Sequence, residues 1–159
     1  MRVVAGIDPG TKGALVVLAD GEVEQIWRLT NATPADVIAV IDEVQATYGT
    51  PAVCAVEDIK VHKGLPGSKN TFYAQGHNRG VLVGCVAAVR WPVVEVLPRA
   101  WQSTYLGVTA DKATHIAAAQ RLWPSRTWLK SHDGDADAAL IARWAWLTQT
   151  VQVQTEVAS

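Results

Sequence analysis

Val4-Ala5-Gly6-Ile7-Asp8-Pro9-Gly10-Thr11-Lys12-Gly13 is the stretch that decides the fold. An apolar segment ends in a carboxylate, Pro9 and Gly10 turn the chain, and Ala14-Leu15-Val16-Val17-Leu18 begins a second apolar segment. Two such segments joined by a tight turn predict neighbouring strands. Asp8 then closes a buried strand, where an unpaired carboxylate is costly to desolvate. It requires a protein cation, a nest of backbone N–H groups or a bound metal.

Working outward, Arg2 to Ile7, Ala14 to Leu18 and Val23 to Leu29 read as three strands, with Ala19-Asp20-Gly21-Glu22 as a hairpin turn. Thr33-Pro34 opens a helix whose Val37, Ile41, Val44 and Tyr48 share one face, and Gly49-Thr50-Pro51 stops it. A fourth strand, Ala52 to Asp58, again finishes in acid. After a loop over 59–69, a helix from about Asn70 to Arg90 carries Gly76, Gly80 and Gly84, which predict close packing on another surface. Val93 to Leu97 is a fifth strand, Thr109 caps a helix ending at Trp123-Pro124, and a last helix runs from about Asp133 to Thr148.

This order predicts one α/β domain over residues 1–150: a mixed five-stranded sheet, its first three strands antiparallel, flanked by helices. Residues 151–159 read as a flexible tail. At 159 residues with 49 % apolar and 18 % charged, the chain can bury a core and is not disordered. Cys54 and Cys85 stand in apolar surroundings and read as reduced thiols. No apolar run reaches the ~18 residues of a membrane span. The start, Met1-Arg2-Val3-Val4, lacks a signal-peptide layout, which predicts a cytoplasmic location. A net charge of −1 makes no general case for a polyanionic partner, but Lys60, His62, Lys63, Lys69, His77 and Arg79 cluster without an intervening acid. Those side chains read as a set of phosphate contacts, and the seven Trp as core or subunit-interface residues.

The last helix opens with Asp133-Gly134-Asp135-Ala136-Asp137. At about 100° per residue, Asp133 and Asp137 lie about 40° apart on the stripe continued by Leu140, Ile141 and Trp144, whereas Asp135 faces away, toward water. Ligands gather at the carboxyl ends of strands in open α/β sheets, which draws Glu57 toward Asp8. Strand alternation lets only one of Glu57 and Asp58 point there. Asp8, Glu57, Asp133 and Asp137 together cannot all ionise in a partly dry pocket without compensation. Oxygen donors without a Cys or His cluster favour Mg²⁺ or Mn²⁺ over zinc. Such a cluster suits two-metal phosphodiester hydrolysis, with ions ~4 Å apart.

The chain resembles the RuvC-type Holliday junction resolvases, particularly their phage-borne branch, within the ribonuclease H-like superfamily. The likeness runs from about residue 3 to 146 through Gly6-Ile7-Asp8-Pro9-Gly10, Val56-Glu57, Gly76-His77-Asn78-Arg79-Gly80, Leu97-Pro98-Arg99-Ala100-Trp101, Asp111-Lys112 and Asp133 to Ala142. It implies two Mg²⁺ ions per subunit on Asp8, Glu57, Asp133 and Asp137, and Lys112 near the scissile phosphate. It also implies a homodimer that cuts symmetric strands of a four-way DNA junction, with no membrane and no nucleotide cofactor involved. Lys60, Lys63, Lys69, Arg79 and Lys112 become the DNA-binding set. The family often spaces its last two ligands three apart. His132–Asp135 would meet that spacing, and Asp133–Asp137 meets the apolar stripe. Lys60 stands where many members carry an aromatic wedge, which leaves junction opening to Phe72, Tyr73 or electrostatics.

Three other classes compete. Ribonuclease H-like nucleases of RNA–DNA hybrids or ribosomal RNA precursors use the same metal chemistry. Sugar kinases and actin-like ATPases share the Gly6-to-Thr11 turn but need two such domains and no acidic last helix. A non-cutting binder of DNA structure would not need four acids.

Overall fold

A computed structural model describes residues 1–58, 68–105 and 111–157, with backbone alone from 149 onward. Strands β1 (Val3–Asp8), β2 (Ala14–Ala19) and β3 (Glu22–Arg28) form an antiparallel meander, to which β4 (Val53–Glu57) and β5 (Val93–Val96) add in parallel. The sheet order is β3-β2-β1-β4-β5, the mixed five-stranded sheet expected. The β2–β3 turn has both central residues left-handed, Asp20 at φ 49° and Gly21 at φ 89°. That conformation matches the twist of a two-residue hairpin.

Helix α1 (Pro34–Tyr48) starts at the expected cap, where Thr33 and Asp36 bond each other's backbone N–H in a capping box. Val37, Ile41 and Val44 face inward. Together with α2 (Lys69–Ala88) it covers one face of the sheet, packing on Val3, Ala5 and Ile7 of β1. The other face, which includes Val4, lies under α3 (Pro98–Tyr105), α4 (Lys112–Leu122) and α5 (Asp133–Val157). Two covered faces explain why β1 and β2 are unbroken apolar runs without alternation. Trp91, Trp101, Trp123 and Trp128 are buried in these two layers.

A Cβ at Gly76, Gly80 or Gly84 would meet nothing within 4 Å, so within the single chain these glycines pack on no other surface. Three expectations need correction. The α4 cap is Asp111, which accepts from Thr114 N at 2.8 Å, and Thr109 lies outside the described residues. Helix α3 has no counterpart among the expected elements, and Pro98 opens it from the first helical position, where a missing N–H does no harm. Helix α5, preceded by a 3₁₀ turn over Lys130–His132, continues past Thr148 to Val157. Among the described residues no helix is long and apolar enough to cross a membrane.

The tightest junction lies where α5 crosses β1. A Cβ on Gly6 would collide with the Ala138 carbonyl oxygen and the Ala142 backbone N, neither of which can turn aside. Gly134 sits equally close to the Lys12 carbonyl in the β1–β2 turn. We expect Gly6→Ala to destabilise by about 3 kcal/mol, the upper range for overpacking. Thermal melts should then show Tm lowered by roughly 6–12 °C for a chain of this size. An unchanged Tm would mean that α5 lies farther from β1.

Candidate active site

Parallel pairing of β1 with β4 sets Ile7 opposite Val56, so Asp8 and Glu57 end side by side at the carboxyl edge of the sheet. The close approach of Gly134 to the β1–β2 turn brings the start of α5 to the same edge. One cleft of about 290 Å³ results, lined by Asp8, Glu57, Asp133, Asp137, Lys112 and Gln75 among others. The four acids expected from the sequence are therefore brought together, from three separate elements. Of the pair closing β4, Glu57 enters the cleft and Asp58 turns to Arg79 at 3.2 Å.

Each acid has a keeper. Asp8 Oδ1 accepts from the Gly10 N–H at 2.9 Å across the Pro9 turn. Trp101 Nε1 on α3 donates to Glu57 Oε1 at 2.9 Å. Lys112, the first residue of α4, ion-pairs with Asp133. His115 Nδ1, one helical turn on, lies 2.5 Å from Asp137 Oδ1. A carboxylate there can only accept, so Nδ1 carries the proton. The buried Nε2 of His115 has no partner among the described residues, and its ring meets Trp101 edge-on at 5.2 Å. Trp101 and His115 thus form one layer beneath the acids.

Burial raises the Asp8 pKa to about 6, helped by the neighbouring Asp137 charge and opposed by the Gly10 N–H, Lys112 and His115. Burial likewise raises Glu57 to about 8, with Asp8 and Asp137 adding repulsion and the Trp101 bond opposing it. Burial and mutual repulsion outweigh the nearby Lys112 and His115 in raising Asp8, and carboxylates crowded in this way suit a bound cation. Hard oxygen donors fit Mg²⁺ or Mn²⁺. Among the described residues no three His, Cys, Asp or Glu side chains form a ready ion cage. The fit is one of donor type, charge and convergence.

Asp135 departs from expectation. It is 5 % exposed, and Arg28 of β3 clamps it through Nε and Nη2 at 3.0 and 2.9 Å. Its side of α5 faces the outer strands of the sheet, so the acid opposite the cleft is buried by a different neighbour. Asp135 is absent from the cleft lining, and its loss would act on stability.

Arg79 also differs. It pairs with both Asp58, just past β4, and Glu95 on β5. Lys69 is exposed at the first residue of α2, while Lys60 and Lys63 lie outside the described residues. Sequence reasoning misses Trp101 and His115 as supports. The signal for His115 is its helical spacing with Ala118 and Ala119, which places it on the buried face of α4.

Trp101 offers a separable test. Trp101→Phe keeps most of the buried ring and removes the N–H on Glu57. We expect Mg²⁺ affinity, or Mg²⁺-dependent activity, to fall ~10–100-fold, the range for outer-shell partners of metal ligands. Titration beside a thermal melt checks this, and unaltered affinity in a folded variant would reduce Trp101 to packing.

No family model matches the sequence, and no curated protein matches it. Solved structures do. T. thermophilus RuvC in complex with a Holliday junction substrate superposes at a TM-score of 0.69 with 20 % identity, covering 95 % of this chain and 96 % of that one. A second Thermus thermophilus RuvC structure gives 0.65 and 20 %, covering 95 % and 97 %. The yeast mitochondrial Holliday junction resolvase Ydc2 gives 0.59 and 14 %, covering 98 % and 86 %. The chain has the fold of these proteins over nearly its whole length.

Proposed function

We propose that this chain is a structure-selective DNA endonuclease that resolves four-way junctions and other branched DNA by two-metal phosphodiester hydrolysis. The observation that carries the reading is the meeting of Asp8, Glu57, Asp133 and Asp137 in one cleft of a RuvC fold. The similar Thermus protein was solved with a Holliday junction substrate, and the yeast one is a Holliday junction resolvase.

In this reading the four acids hold two Mg²⁺ ions, for which Mn²⁺ substitutes. When bound, such a pair supplies an activated water and neutralises charge on the leaving oxygen. The chain's own side chains do the rest. Asp8, fixed by the Gly10 N–H, stands between Glu57 and the α5 acids. Trp101 and His115 limit rotation of the Glu57 and Asp137 carboxylates, the kind of preorganisation that makes electrostatic stabilisation effective. Lys112 adds a positive charge at the cleft wall, suited to a phosphate oxygen. Lys60, Lys63 and Lys69 contact backbone phosphates, positioning DNA without reading its sequence.

Symmetric cleavage of a junction needs two sites, which a homodimer supplies. The α2 face bearing Gly76, Gly80 and Gly84, open to solvent in the single chain, supports docking of a second copy. Incubating the protein with a mobile four-way junction, linear duplex, RNA–DNA hybrid and flap substrates in Mg²⁺ tests the whole reading. The junction should be cut fastest; preference for the hybrid would move the protein to another ribonuclease H-like activity.

A further inference from the structure

A second pocket, of about 220 Å³, lies against the acid cleft on the α1–α2 side of the sheet. The two share Gly10 and Thr11, and consecutive α2 residues, Ala74 and Gln75, line one each. The Gly10–Thr11 turn borders both. The second pocket's volume falls below the ~300–1,000 Å³ of drug-sized ligand sites and suits one ring system.

Its chemistry is that of a neutral, planar, hydrogen-bonding ligand. No Asp, Glu, Lys or Arg lines it, which argues against a phosphate. Buried Val37 and Leu82 supply an apolar floor, while Thr11, Asn31, His77 and Asn78 stand around it. None of those four side chains has a hydrogen-bond partner among the described residues, and each can donate or accept. Asn31 is held at φ 58°, in the left-handed region that Asn tolerates, which fixes the turn at the pocket. Outside, Tyr73 is 76 % exposed and stacks on His77 with centroids 6.1 Å apart and planes 16° from parallel. Aromatic faces beside amide and hydroxyl groups are how proteins receive unstacked bases.

We propose that this pocket takes one unstacked nucleobase of the cut strand, next to the scissile phosphate, and reads its identity through Asn78 and Thr11. This rests on the nuclease reading, because the neighbouring cleft must hold that phosphate. An amide reading a base edge gives roughly 5- to 100-fold discrimination against the wrong base.

Two measurements on the full chain test it. Four-way junctions carrying each of the four bases beside the cleavage point should differ in cutting rate by that factor. A junction with 2-aminopurine at that position, bound in EDTA, should fluoresce more strongly as the base leaves its stack. Asn78→Ala and Thr11→Val, both checked for native melts, should lower the base preference below about 2-fold and remove the fluorescence gain. Variants that keep both signals, or a wild-type protein showing neither, would overturn the pocket's role. A fluorescence gain on a junction that is never cut would remove the nuclease reading and leave the pocket standing. Cutting without any base signal would do the reverse.

Discussion

Asp8→Asn should abolish junction cleavage, by at least ~10³-fold, while leaving junction binding in EDTA close to wild type. Loss of a charge that an active site relies on for electrostatic stabilisation is expected to cost ~10²–10³-fold or more in rate. Asp8 exceeds a single donor, because its charge couples to both Glu57 and Asp137. An amide at this position also cannot supply the charge that attracts a divalent ion. On the proposed function, junction affinity should survive, since phosphate contacts outside the acid cleft would carry it. Single-turnover cleavage and a gel-shift titration separate the two effects, and normal turnover would remove Asp8 from the chemistry.

The metal-free protein should lose stability as pH rises. In the folded state Asp8 titrates near 6 and Glu57 near 8, against ordinary values of 3.8 and 4.5. Between about pH 4 and pH 8 the folded chain therefore holds protons that the unfolded chain has released. Where the folded state binds more protons, unfolding free energy falls with increasing pH. A tenfold change in proton affinity on folding is worth about 1.4 kcal/mol. The two groups together therefore remove several kcal/mol, all of it lost above pH 8. In EDTA, Tm should fall by more than ~5 °C between pH 5 and pH 8.5. Magnesium should restore far more at pH 8 than at pH 5, with protons released on binding. Asp8→Asn should lessen the slope of the metal-free profile, leaving the part due to Glu57 burial, and raise Tm at pH 8. A level wild-type profile would mean that these carboxylates are better solvated than their burial indicates.

The sheet and its acidic edge are legible in the sequence because local chemistry and tertiary placement agree there. A turn at Pro9-Gly10 and a strand ending at Glu57 need no distant information. The 40° between Asp133 and Asp137 is a property of any helix. Asp135 escapes such a reading because a helical wheel gives direction without saying what stands opposite, and Arg28 arrives from a strand more than a hundred residues away. The open α2 glycines are ambiguous for a similar reason: a missing side chain marks room for a close approach without saying what approaches. His115 and Trp101 carry no motif, and their link to the acids exists only once α3 and α4 pack beside α5. Arg79 stands in a run without acids, but Glu95 lies in the adjoining strand.

Helix α5 rests on β1 at Gly6 with no clearance. The backbone spacing between Asp8 and the two helical acids is consequently settled before any nucleic acid arrives, leaving side-chain rotation as their remaining freedom. If the chain is the proposed nuclease, sliding one wall of the cleft along the other at Gly6 is opposed by backbone contact. On the proposed function, bending or strand separation then falls largely to the DNA, so flexible junctions should be cut faster than rigid ones of the same sequence.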